Sequence, residues 1–139
     1  MRKALLLTLL AAVTVSVISG CELLEGWFKP GEPPTGPRVD ESADGGQVTL
    51  QVGQTLIVAL ASNPSTGYTW EIAEVDPMVL TLTKEDFIAD SDLVGAPGTQ
   101  LFYFKALKTG QTSLQMVYHR PWETGVEPAD TFSITVQVR

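Results

Sequence analysis

Very little in this chain can carry covalent chemistry. Its 139 residues include one cysteine, Cys21, and one histidine, His119. A single cysteine permits no internal disulfide, so the fold must rest on its apolar core. One Cys and one His do not supply the usual zinc sets. Schemes built on histidine need a Ser or Cys within reach and an orienting carboxylate. There is no Gly-x-Ser-x-Gly nucleophile elbow and no phosphate-binding glycine loop. His119 follows a strand-like run and stands beside Arg120, where it reads as a structural or contact residue. Asp86, Asp90 and Asp92 form a small acidic cluster without the Gly and terminal Glu of a calcium loop. They read as a solvated acidic loop, with weak cation binding as the alternative. No cofactor or metal is expected, and this inventory does not support a catalytic role. Positive charge is also scarce: Lys and Arg number 9 against 16 acids, for a net charge of -7. Nucleic-acid affinity rests on Lys and Arg neutralising phosphates, so nucleic acid is a poor partner. No stretch has a convincing helical period.

The N-terminus carries a targeting pattern. Met1-Arg2-Lys3 is basic, Ala4 to Val17 is largely apolar, and Ile18-Ser19-Gly20-Cys21 ends the segment on small residues. This is the order of an export signal. The Cys after Ser-Gly resembles the lipobox of bacterial lipoproteins, in which that Cys is lipidated and becomes the first mature residue. Residues 1–20 are therefore expected to be a lipoprotein signal peptide. Cys21 would then tether an exported protein to a membrane of the cell envelope, on its periplasmic or cell-surface side. Retention as an uncleaved anchor is the alternative, because the apolar stretch is at the lower edge of spanning length.

Residues 21–45 read as the lipidated Cys and a flexible tether. Gly26, Pro30, Gly31, Pro33, Pro34, Gly36 and Pro37 oppose regular structure. Trp27-Phe28 fits either a membrane-interface contact or an unordered aromatic pair.

From Gln47 the apolar period is two. Val48 to Val52, Thr55 to Leu60, Trp70 to Ile72, Val79 to Thr83, Leu101 to Ala106, Gln111 to Tyr118 and Thr131 to Val138 are strand candidates. About seven short strands at regular spacing indicate an all-β domain over residues 46–139. The expected fold is an immunoglobulin-like antiparallel β-sandwich, with Trp70 in the core between the sheets.

Three connections are unusual for plain turns. Asn63-Pro64-Ser65-Thr66-Gly67-Tyr68 is longer than a tight hairpin needs. It is stiffened by Pro64 and carries small polar side chains. Gly95-Ala96-Pro97-Gly98 and Arg120-Pro121-Trp122 join later strand pairs. In a Greek-key sandwich these three connections emerge at one end, where they can form one contact edge.

Together the three motifs, in this order on an all-β pattern, resemble the signature loops of the chagasin-type inhibitors of papain-like cysteine peptidases. The resemblance spans about Gln47 to Arg139. It implies reversible inhibition by occupation of the catalytic cleft. Asn63, Pro64, Ser65, Thr66, Gly67 and Tyr68 would enter that cleft, with Thr66 near the target's catalytic Cys. Gly95, Ala96, Pro97, Gly98, Arg120, Pro121 and Trp122 would grip its two sides, with Trp122 as aromatic anchor. Ser65 stands where the family often has Thr, and Pro97 interrupts a loop that is often richer in glycine. The competing expectation is an envelope-anchored adhesion or assembly module on the same scaffold.

Overall fold

The computed structural model describes residues 34–139. The signal segment, Cys21 and the Trp27-Phe28 pair lie outside the described residues. The described residues form eight strands: β1 (Arg38–Val39), β2 (Gln47–Leu50), β3 (Thr55–Ser62), β4 (Thr69–Glu74), β5 (Leu80–Ala89), β6 (Gly98–Ala106), β7 (Gly110–His119) and β8 (Asp130–Val138). They form two four-stranded sheets, in the orders β1-β3-β6-β5 and β2-β8-β7-β4. The immunoglobulin-like β-sandwich anticipated from the alternation is present.

That alternation sorts the side chains. In β3, Leu56, Val58 and Leu60 turn inward, and β6 meets them with Phe104, Phe102 and Gln100 in register. In the other sheet Leu114 faces Ile134 and Met116 faces Phe132 across β7 and β8. Except for Gln100, these residues are buried in one continuous core with Trp70, Leu80 and Val136. Each fully buried aliphatic or aromatic side chain contributes roughly 1.5–3 kcal/mol. This replaces the disulfide that the sequence cannot form. The Trp70 indole crosses from one sheet to the other, where its Nε1–H donates to the Ala61 carbonyl at 2.9 Å.

Two features depart from the sequence reading. The sandwich is not wholly antiparallel: β1 runs parallel to β3, and β2 runs parallel to β8. The folded unit also begins before residue 46. Thr55 N–H donates to Thr35 O and Ile57 N–H to Pro37 O, which lays residues 35–39 along the edge of β3. A 3-10 turn, Glu41–Ala43, then carries the chain to the second sheet. There the Ser133 N–H donates to Asp44 Oδ1 at 2.7 Å, while the Glu41 carboxylate accepts from Ala61 N–H. Pro and Gly indeed exclude a regular element here. They do not prevent an extended strap whose carboxylates satisfy strand-edge donors.

A third difference concerns the acidic cluster. β5 continues through Lys84–Ala89, so Asp86 is a strand residue, ion-paired to Lys84 Nζ at 3.1 Å. Only Asp90 and Asp92 belong to the loop. Among the described residues no group of three or more His, Cys, Asp or Glu side chains is placed to hold a metal ion.

The topology gathers three connections at one pole. β3 ends at Ser62 where β6 begins at Gly98, and Ala89 at the end of β5 pairs with the same Gly98. β4 begins at Thr69 opposite His119, the last residue of β7, while Tyr118 pairs with Asp130 at the start of β8.

Candidate functional site: a three-loop edge

The backbone of the first loop is locked from within. Pro64–Thr66 forms one 3-10 turn, closed by Gly67 at φ +82°. That conformation suits Gly, which has no Cβ to clash. Thr66 Oγ1 donates to Asn63 O at 2.6 Å, and Ser65 Oγ donates to Asn63 Oδ1 at 2.6 Å. Asn63 thus fixes the loop through a neighbouring hydroxyl and makes no side-chain bond to the turn's backbone. Pro64, Ser65 and Thr66 are exposed, whereas Asn63, Gly67 and Tyr68 are half-buried.

The half-buried members tie the loop to the sandwich. Asn63 N–H donates to the Tyr118 hydroxyl at 2.9 Å, across 55 positions of chain. The Tyr118 ring stacks on Tyr68 with centroids 5.3 Å apart and contacts Trp70 at 5.1 Å. Tyr118 occupies the inward position after Leu114 and Met116, so strand alternation itself aims it under the loop.

The third loop clasps the first. Arg120 Nε donates to Thr66 O at 3.1 Å, and its guanidinium lies 4.5 Å from the centre of the Tyr68 ring. Such a cation–π contact adds roughly 0.5–1 kcal/mol at exposed sites. The same guanidinium donates to Glu123 Oε1 at 3.1 Å. Arg120 is therefore a brace within the edge, with its Nε and one terminal nitrogen engaged locally. Pro121 and Trp122 are exposed, Trp122 to 67%. The Trp122 ring lies close over Gly67. An indole this open, held over the backbone of the central loop, is a ready anchor for a partner.

The second loop joins from the other side. Ser65 Oγ lies 3.4 Å from Gly95 O, and Gly95 adopts φ +79°. Ala96 is half-buried and Pro97 exposed, with Pro97 O accepting from Asp90 N–H at 2.9 Å. Gly98 departs from the sequence expectation. It is buried at the start of β6, where a Cβ would stand 2.2 Å from Ile88 O. It is required for close strand approach and offers no contact surface.

The sequence reading missed three exposed apolar side chains at this pole. Leu93 and Val94 are 78% and 106% exposed in the second loop, and Val126 is 61% exposed in the third. Their signal was an apolar pair beside Gly95, directly after the acidic Asp90-Ser91-Asp92. The reading also missed Tyr118, Glu123 and Gln100 as supports. His119 is a surface residue of β7 whose Nε2 lies 2.7 Å from Glu71 Oε2. No Ser or Cys nucleophile pairs with it among the described residues.

A two-sheet sandwich that clasps three connecting loops into one exposed, partly apolar edge is a protein-binding module. Residues 49–136 match the family described as "Chagasin family peptidase inhibitor I42", and the chain belongs to that family. Amoebiasin-2 of Entamoeba histolytica is 32% identical over 102 residues, covering 71% of this chain and 82% of its own. Chagasin of Trypanosoma cruzi is 28% identical over 102 residues, covering 70% and 93%. The crystal structure of EhICP2, a cysteine protease inhibitor from Entamoeba histolytica, superposes with a TM-score of 0.67 at 31% identity. That match covers 73% of this chain and 94% of the other.

Proposed function

We propose that this chain inhibits papain-like cysteine peptidases by seating the three-loop edge in the catalytic cleft. The Asn63–Tyr68 loop forms the central finger, and the Gly95 and Trp122 loops flank it. As a member of a peptidase-inhibitor family, the protein is a binder and not an enzyme. The observation that carries the reading is the mutual clasp. Thr66 O is held by Arg120, Gly67 is covered by Trp122, and Ser65 approaches Gly95 O. Loops free of one another would lose more entropy on docking; loops already locked together have less to lose.

The finger's chemistry suits a narrow cleft. Its exposed tip consists of Pro64, Ser65 and Thr66, which have small side chains and no charge. It contributes no nucleophile. A closed 3-10 turn does not present the extended backbone that a peptidase cleaves, so the finger can occupy the cleft without turnover. Trp122, with Leu93, Val94 and Val126, supplies the apolar area that holds the flanks.

We further propose that the protein is exported and tethered through a lipid on Cys21. The Ile18-Ser19-Gly20-Cys21 pattern after a basic and apolar leader supports this reading.

Titration of papain with the full chain tests the function. Stoichiometric, reversible loss of activity is expected, weakened ~30-fold by Trp122→Ala because an aromatic hot spot contributes ~2 kcal/mol or more. Absence of inhibition at micromolar concentration would overturn it and favour the adhesion or assembly alternative. For the anchor, incorporation of labelled fatty acid that Cys21→Ala abolishes is the expected result.

A further inference from the structure

Among the described residues β4 is an edge strand, paired with β7 on one side and with no strand on the other. Its first residues, Thr69 and Trp70, are the stem on which the finger lands. On the open side the place of a neighbouring strand is taken by one side chain from the opposite sheet. Gln100 of β6 accepts from Trp70 N–H through Oε1 at 3.2 Å, and its Nε2 lies 3.4 Å from Trp70 O. The same amide group contacts Thr69 Oγ1, at 3.5 Å from Oε1 and 3.3 Å from Nε2. A carboxamide has one acceptor and two donors. It can therefore meet both the N–H and the C=O of one residue, as a strand peptide would.

This placement breaks the pattern of β6. Phe102, Phe104 and Ala106 are buried on the inward positions, and Gln100 is the polar member of the same series. An apolar side chain there would continue the inward series. It would leave Trp70's backbone without partners. The other stem of the finger is held differently, by the Tyr118 hydroxyl on Asn63 N–H and the Trp70 indole on Ala61 O. Trp70 thus ties into both stems, and Gln100 fixes the backbone that sets Trp70.

We infer that Gln100 is a positioning residue for inhibition. By holding the Thr69-Trp70 stem across the sandwich it fixes the angle at which the finger enters a peptidase cleft. Gln100 itself touches no target. This role rests on the inhibitor reading above.

The test compares Gln100→Met, which keeps the length and apolar stem but removes the amide, with Val138→Ala. Val138 is buried in the core at the far pole, where β8 pairs with Gly110. Both variants are made in the full chain. For Gln100→Met, hydrogen exchange should accelerate at the Trp70 and Gly67 amides, and papain should dissociate ~10-fold faster, the scale of one partly buried hydrogen-bonding group left unpaired. Gln100→Glu retains the acceptor but loses the donor, and should fall between Met and the native protein. Val138→Ala should lower the melting temperature while leaving the dissociation rate unchanged. Native dissociation in Gln100→Met, or an equal acceleration in Val138→Ala, would overturn the proposal. If the native protein fails to slow papain at all, the inhibitor reading falls separately. Unchanged exchange at Trp70 and Gly67 in Gln100→Met would then overturn the positioning role on its own.

Discussion

Trp122 lies so close over Gly67 that a Cβ built on the glycine would stand 2.2 Å from Cη2 of the indole. Gly67 also holds φ +82°, a conformation that costs an L-residue roughly 1–2 kcal/mol. Gly67→Ala therefore acts twice, straining the turn and pushing the anchor ring aside. The expected outcome is a melting temperature lower by about 5 °C, together with a loss of inhibition larger than the stability change explains. Calorimetry and a papain titration on the same preparation separate the two effects. A variant that melts lower but inhibits normally would show that the Gly67–Trp122 contact is irrelevant to binding.

Tyr118→Phe keeps the ring stack with Tyr68 and Trp70 and removes only the hydroxyl that accepts from Asn63 N–H. A partly buried donor is left without its partner, at a cost of roughly 1–3 kcal/mol. Faster amide exchange at Asn63 and a lowered denaturant midpoint are expected. An unchanged midpoint would mean that water replaces the hydroxyl without loss.

The strap before β2 is part of the folding unit, so its removal should be felt at a distance. A chain beginning at residue 46 loses the bonds from Thr55 and Ile57 to residues 35 and 37, and the carboxylates of Glu41 and Asp44. With ~0.5–1.5 kcal/mol for each hydrogen bond, the deficit is on the order of 3 kcal/mol relative to a chain beginning at residue 34. Urea denaturation of the two chains measures it, and equal midpoints would restore the simple tether boundary.

The same strap introduces a pH dependence. The Ser42 hydroxyl and then the Ser42 N–H donate to Asp40, and they hold its carboxyl below the usual carboxylate value. A depressed pKa contributes stability at neutral pH that is lost as pH falls through the folded value. Asp40→Ala should thus be less stable than the native protein at pH 7, with the gap closing in progressively stronger acid. A gap that stays constant along a descending pH series would assign the effect to something other than this carboxylate.

Strand alternation made the sandwich legible, because a period of two sets out Leu56, Val58 and Leu60 of β3, Phe102, Phe104 and Ala106 of β6, Leu114 and Met116 of β7, and Phe132, Ile134, Val136 and Val138 of β8 as inward positions. The three loops were legible because Pro, Gly and small polar residues interrupt that period in a recognisable order. Other features depend on contacts between residues far apart in sequence. Nothing local in Arg120 distinguishes a brace on Tyr68 from a hand offered to a partner. Gly98 read as loop because Gly and Pro surround it, yet the constraint on it is the Ile88 carbonyl of the neighbouring strand. The strap was hidden by its prolines, which oppose regular structure but allow a two-residue strand. Two supports had a local signal: Tyr118 continues the inward series of β7, and Gln100 is a polar residue in an otherwise apolar inward series.

The parallel run of β1 along β3 has a practical consequence for anyone handling the protein. Residues 35–39 join β3 at its Thr55 start, whereas the finger springs from its Ser62 end. A resin, label or fusion partner joined directly to Pro34, in a chain that begins there, therefore enters at the pole opposite the finger. Immobilised in that direction, the molecule leaves the whole contact edge free, which makes N-terminal capture the suitable geometry for fishing its target from a mixture.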